Sequence, residues 1–577
     1  MVTKKIAIIA TLSDYSLDKL KSDLFAGITV GTILIPQGMA YALLAGMPPI
    51  YGLYASIVPL IIYACFASSS KLSVGPVAVS ALLVLAGISQ LAEPFSAEYI
   101  ELVILTGFLV GLVQISLGMF KMGFLVNFIS HPVIAGFTSA AAIIIIVSQL
   151  KDALGLQMTN SPNCLSTLSE VVSQLGQTNW ITAGITLISI TVITVLKKIN
   201  KAIPGPLIVA AIGIILSYYF SLGTKEVAIV GQIPEGLPKF SNPSFSLDAL
   251  SKLWPTVLTV TLIGIVESLG IAKSLEARFK DHTIVPNQEL IALGLSKVTG
   301  SFFSALPSSG SFSRSAINGE AGGKTTVSSL ITAILVILTL IFFTTVFYHL
   351  PKAILAAIIL LSVVKLFDIK EAKALWKSDR LDFWMMFSTF IVTLFLGIEA
   401  GVLSGVLLSI LAVLYKSSVP AISELGHIEG TSYYKNIERF DEASGVDDTL
   451  ILRFESKLFF GNANFFKDSI MKRIHNGDNQ ISHVVIDGSI INDVDSTAKH
   501  MLRDLDKELE DQGVSLHLCG LVGQVRDSLY RSGLLTEIEK HHMTIHDAIV
   551  QIRHSEEHEV LCRSGNPLQT NETRNSK

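Results

Sequence analysis

Between residues 24 and 416 one feature recurs with little interruption: apolar runs about as long as a bilayer's hydrocarbon core is thick, separated by short polar links. A membrane helix needs about 20 largely apolar residues. Such runs fall at 24–44, 50–68, 74–90, 100–119, 126–149, 180–196, 204–221, 254–273, 287–305, 311–322, 326–348, 351–367, 382–398 and 400–416, fourteen in all, in two sets of seven. Composition agrees, since half the residues are hydrophobic and only 16% are charged, against about a quarter in soluble domains. Lys and Arg gather in the even-numbered connections, among them Lys71, Lys121, Lys197, Lys198, Arg278, Lys280, Lys324 and Lys370. By the positive-inside rule these links and both termini are expected in the cytoplasm. Lys4 and Lys5 precede no small-residue cleavage site, so the first apolar run is expected to be retained. No basic stripe appears, which argues against a nucleic-acid partner; the formal charge of −4 is neutral on the point. Cys65, Cys164, Cys519 and Cys562 have no metal or redox spacing.

Two of the runs are broken. The third begins Ser73-Val74-Gly75-Pro76-Val77-Ala78, and the tenth begins Ser308-Ser309-Gly310-Ser311-Phe312-Ser313-Arg314. Each stands third in its set of seven. Interrupted segments at matching places in two halves point to a transport site on inverted repeats. Non-helical backbone at membrane depth has to be satisfied or line a cavity. A helix starting there presents unpaired N–H groups and the positive end of its dipole, an anion site before any side chain is added. Ser311 or Ser313 can add donors. Arg314 either pairs structurally with Glu267 or Glu320, or adds positive potential behind the two helix starts.

Three further polar residues lie in apolar surroundings. Glu267 falls about thirteen residues past Trp254, near mid-membrane at ~1.5 Å per residue. It either couples anion entry to a proton or cation, or makes a helix–helix hydrogen bond. Gln37 sits between Pro36 and Gly38; it either lines a substrate cavity or bonds a carbonyl freed by Pro36. Lys297, inside the ninth run, either snorkels to the interface or faces a cavity.

The runs PQGMAYALLAGMPPIYGLYAS (36–56) and NQELIALGLSKVTGSFFSALPSSGSFSRSAINGEAGGKT (287–325) strongly resemble the sulfate permease (SulP) family of anion transporters and exchangers, and the likeness covers nearly the whole chain. The resemblance implies an α-helical polytopic membrane protein of 14 spans, built as 7+7 inverted repeats with core and gate domains. It implies an anion site between the third and tenth spans with roles for Val77, Phe312, Ser313 and Arg314, with Glu267 at the coupling position, and elevator-like movement of core against gate; Ala78 and, on its cavity-lining reading, Gln37 complete the expected substrate-binding set. No cofactor is implied beyond a coupling H+ or Na+. The partners expected are a small anion, membrane lipids, a second copy of the chain in a homodimer and a cytosolic protein bound by the soluble domain. The place expected is the inner (plasma) membrane. Val77 departs from the aromatic residue of some animal members, which leaves the pocket wall open. Glu267, where a sodium-coupled member has Asp, leaves the coupling ion open.

After Tyr415 the composition turns soluble. TLILRFESKLFF (449–460), SHVVIDGSIIND (482–493) and VSLHLCGL read as strands, alternating with helices, which predicts an α/β domain. It resembles the STAS domain that ends most family members. Asp495 and Ser496 read as a helix cap, with phosphorylation of Ser496 as the alternative. His541, His542, His546, His554 and His558 read as a solvated tail rather than a metal site. The expected division is a cytoplasmic segment over 1–23, transport domain over 24–416, STAS domain over 417–555 and disordered tail over 556–577. Sulfate is the leading substrate, with bicarbonate or a C4-dicarboxylate as same-family alternatives. A nucleobase permease and an anion channel are the readings from other classes; no enzyme constellation appears.

Overall fold

The computed structural model describes residues 8, 12–13, 15–124, 130–158, 164–199, 203–232, 236–243, 247–280, 283–476, 481–538 and 540–563. Most of the expected segment 1–14 and the tail residues 564–577 lie outside the described residues. The chain divides into two compact units, Met1–Ile410 and Leu411–Lys577.

The membrane unit follows the sequence pattern through fourteen successive elements. The first half runs Leu17–Leu44, Pro49–Phe66, a strand–helix element, Ala97–Met119, His131–Leu154, Trp180–Ile199 and Gly205–Tyr219. The second runs Leu247–Phe279, Pro286–Ser301, a second strand–helix element, Val327–Phe342, Lys352–Val363, Arg380–Leu396 and Ile398–Ser418. Short helices that fall outside the apolar runs, Cys164–Gln174 and Ile369–Ser378, occupy the same place in each half, between its fifth and sixth elements. Both expected breaks are present. β1 (Val74–Gly75) leads into the helix Ala78–Ile88, and β2 (Ser309–Gly310) into the helix Phe312–Glu320.

Packing separates these spans into two groups. The ninth span packs on the second and fourth, the eleventh on the first and second, and the eighth on the third and fourth. Spans four and nine approach through glycines: a Cβ on Gly111 would lie 2.8 Å from the Gly294 carbonyl oxygen, and one on Gly294 2.7 Å from that of Gly111. Without side chains at the crossing, backbones meet directly, which is how helices gain van der Waals contact where lipid removes the hydrophobic drive. In the other group the thirteenth span packs on the fifth, and the twelfth on the fifth and sixth. The two groups meet where the seventh and twelfth spans lie on the first.

In the soluble unit the sheet order is β4 (Tyr434–Asn436), β3 (Ile422–Ile428), β6 (Thr449–Phe454), β7 (His483–Asp487), β8 (Ser515–Cys519) and β9 (His541–His542), with β5 (Ala443–Ser444) on β3. β6 (Thr449–Phe454), β7 (His483–Asp487), β8 (Ser515–Cys519) and β9 (His541–His542) run parallel. Leu450, Ile451 and Leu452, like Val484, Val485 and Ile486, are all buried; unbroken apolar triplets suit strands covered on both faces. β3 (Ile422–Ile428) pairs antiparallel with β6, an edge the alternation did not predict. One expectation is corrected: the last segment does not begin as irregular chain at 556, because a helix spans Ile545–Arg563. Its Ala548, Ile549 and Ile552 bury against Ile451, Val485 and Cys519 of the sheet, and this packing sustains it.

Candidate substrate site at the crossing of the broken spans

The two broken segments meet. β1 and β2 pair antiparallel, Val74 opposite Gly310 and Gly75 opposite Ser309. Backbone and side-chain bonds fix the crossing: Ser311 N donates to the Ser73 carbonyl at 3.0 Å, Ser73 N to Ser315 Oγ at 2.8 Å, and Asn318 Nδ2 to the Lys71 carbonyl at 3.1 Å. The eighth span supports it through Ser268 Oγ, which accepts from Gly310 N at 3.0 Å. Two helices therefore start back to back inside the protein, and the N–H groups of each first turn have no partner within their own helix.

The two starts differ. The third-span helix has Val77 as its N-cap, extended at φ −138° and without a side-chain cap bond. Val77 and Ala78 are 5% and 8% exposed. In the tenth, the Ser311 side chain accepts from Arg314 N. Phe312 is 58% exposed although its backbone lies at the crossing, so the space before this helix is open. Ser313 is half-buried beside it.

Arg314 is fully buried. Its Nη1 donates to Gln37 Oε1 at 3.4 Å, while its Nε and Nη2 have no partner among the described residues. Gly75 makes room for it, because a Cβ there would stand 3.2 Å from Nη2. Glu320, one expected partner, pairs instead with Arg278 at 2.8 Å. Glu267 lies close enough to act on Arg314 electrostatically, yet its Oε2 is buried with no hydrogen-bond partner among the described residues. Ser73, Ser80 and Ser308 add buried hydroxyls without partners among the described residues. Unpartnered buried polar atoms are costly, and several of them gather around these two helix N-termini.

A cavity of about 350 Å³ lies elsewhere, at the C-terminal end of the third-span helix, lined by Leu85, Ser89, Gln149, Lys151 and Lys352.

The Sulfate permease family profile matches residues 20–389, and a STAS domain profile matches residues 441–548. The chain belongs to the sulfate permease family. A probable sulfate transporter 4.2 of Arabidopsis thaliana is 38% identical over 548 residues, covering 92% of this chain and 80% of the relative. The structure of the murine solute carrier 26 family member A9 anion transporter, in the inward-facing state, superposes with a TM-score of 0.88 at 26% identity, covering 95% of this chain and 94% of that one. The transmembrane domain of a cyanobacterium bicarbonate transporter, BicA, shares the fold at a TM-score of 0.61 and 22% identity, covering 69% of this chain and 98% of that one. The protein is thus a multi-pass member of a family of anion transporters, not enzymes, and it carries the STAS domain.

Within this member of the family the crossing brings together Gln37, Val77, Ala78, Phe312, Ser313, Arg314 and Glu267. Gln37 faces Arg314 rather than a carbonyl near Pro36. Lys297 does not snorkel; it is 3% exposed and donates to Gln114 Oε1 at 3.0 Å. Sequence reasoning missed two buried carboxylates that hold the crossing from below. Glu289 accepts from Tyr63 Oη at 2.6 Å, from Ser68 N and Oγ at 2.6 Å and from Ser69 N at 2.7 Å, pinning the link into β1. Asp23 accepts from Lys324 N at 2.7 Å and Thr325 N at 3.0 Å, pinning the link that follows the tenth span. Glu289 stands in the first turn of its helix, where an acid reads as an ordinary dipole partner. Ser496 is exposed in the first turn of its helix, and the cap is Asp495, whose Oδ1 accepts from Ala498 N at 2.8 Å.

Proposed function

We propose that this sulfate permease carries out secondary active transport of sulfate, coupled to H+ through Glu267. The anion binds between the third- and tenth-span helix starts, against backbone N–H groups, Ser313 and Arg314, with Val77, Ala78 and Phe312 as walls. The observation that carries this reading is Arg314: a fully buried guanidinium with two nitrogens unpartnered among the described residues, directed at the junction of two helix N-termini. An oxyanion supplies what that group lacks. Gln37 orients the guanidinium. Spans 1–4 and 8–11 form the moving core and the remainder the gate, a division supported by the packing groups above. The protein acts as a homodimer in the inner (plasma) membrane with both termini cytoplasmic. The STAS domain serves as a docking place for a cytosolic partner, with Ser496 exposed at one helix start.

The test is uptake by the purified chain in liposomes. Labelled sulfate, bicarbonate and succinate are compared, with pH and Na+ gradients imposed separately. Saturable sulfate uptake driven by an inward proton gradient is the expected result. Uptake driven only by Na+ reassigns the coupling ion, preference for either other anion reassigns the substrate, and flux of none overturns the reading.

A further inference from the structure

The crossing has a second buried cation that the reading above leaves unused. Lys297 of the ninth span donates to Gln114 Oε1 of the fourth, a neutral amide, and Gln114 Nε2 is itself buried without a partner among the described residues. The pair stands against the eighth span at Gly264, where a Cβ would lie 3.7 Å from Gln114 Nε2 and 3.0 Å from Ser309 Oγ of β2. Close to one helical turn further along is Glu267, on which Arg314 and Lys297 both act electrostatically. The charged or titratable side chains acting on Glu267 among the described residues include these two and Tyr41 of the first span. Around Glu267 the crossing is therefore flanked by two buried basic side chains, Arg314 at Gly75 of β1 and Lys297 behind β2.

We infer that Lys297 is a specificity-determining residue: its charge favours a doubly charged oxyanion over a singly charged one, and balances that dianion only when Glu267 carries a proton. This rests on the transport reading. The balance is simple. Arg314 and Lys297 together match a dianion if Glu267 is neutral, and match a monoanion if Glu267 is ionised. Moving a net charge through the low-dielectric interior is costly, so the dianion travels with a proton and the monoanion without one. A fixed charge on the order of 10 Å away, at an effective dielectric of about 20, favours the dianion's extra charge by about tenfold.

The experiment uses the full chain in liposomes, with sulfate as dianion probe and nitrate as monoanion probe, at acidic and neutral outside pH. Wild type is compared with Lys297→Asn, Lys297→Arg and Gln114→Leu, and each protein's melting temperature is recorded. The KM for sulfate is expected to rise about a hundredfold in Lys297→Asn and that for nitrate about tenfold, one factor of about ten for each unit of anion charge, with kcat nearly unchanged for both. The pH dependence of sulfate uptake should weaken as well. Lys297→Arg should restore sulfate KM, and Gln114→Leu, which unties the ammonium, should lie between. Equal loss for both anions, or an unchanged sulfate KM, overturns the inference while leaving sulfate transport intact. If Lys297→Asn does not fold, the Arg and Leu variants decide by the same KM readout. A wild type that moves neither anion sinks the transport reading and this one together.

Discussion

The two units of this chain treat buried polar groups in opposite ways. In the membrane unit, Arg314, Glu267, Gln114, Ser73, Ser80 and Ser308 all leave buried polar atoms unpartnered among the described residues. In the soluble unit no described side chain does so. There, Arg453 Nε meets Asp487 Oδ2 at 2.7 Å across registered positions of β6 and β7. His483, His517 and His542 link in a row over β7, β8 and β9, at 3.2 and 3.1 Å. Bilayer depth makes unmet polarity more expensive, so a stability argument alone predicts the reverse distribution. The difference teaches that unmet buried polarity, among the described residues, is confined to the membrane unit, the unit in which the anion site is proposed.

The largest test of that contrast is Arg314→Ala. Sulfate uptake is expected to fall at least a hundredfold, with the melting temperature unchanged or raised, since an unpaired buried cation opposes folding. A collapse in stability would place Arg314 with Arg453 as a structural partner and erase the contrast. Next is Glu267→Gln. Uptake should lose its pH dependence and drop about tenfold under a proton gradient, as expected for a removed proton relay; full flux with the wild-type pH profile would sink the coupling role.

The soluble unit should respond in the other sense. Asp487→Asn leaves Arg453 without its carboxylate and should lower that unit's stability by about 1–2 kcal/mol. Hydrogen exchange would read this as faster exchange in β6 and β7, with sulfate KM unmoved. The smallest effect concerns His517, whose imidazole is pushed down to about 3 from the ordinary 6.5 by burial and then by His483, His542 and Lys540. The unfolded chain binds the proton more readily, so this contribution to stability is present above pH ~6.5 and is lost as pH falls from there toward about 3. Protection of β8 in the full chain should decline over that window, and His517→Gln should flatten the decline.

Much of this was legible in the residues alone. Fourteen apolar runs determine a helical membrane protein, because at bilayer depth each segment has to satisfy its own backbone. Gly75-Pro76 and Ser309-Gly310 mark where that rule is broken, and their matching positions reveal the repeat. Arg314 and Glu267 announce themselves by charge in apolar surroundings. Other features required the fold. Glu289 looks like a routine first-turn acid and Asp23 like an ordinary acid near the start of its helix until the chain returns, more than 200 residues away in sequence, to place donors around them. The same holds for the His483–His517–His542 row, which joins three separate strands and takes in one of the histidines that drew attention in sequence. Lys297 shows the boundary between the two kinds of knowledge. Sequence marks it as a misplaced charge; only the packing of the fourth, eighth and ninth spans gives it Gln114 for an acceptor and Glu267 for a neighbour, because electrostatic pairing depends on distance in space and not along the chain.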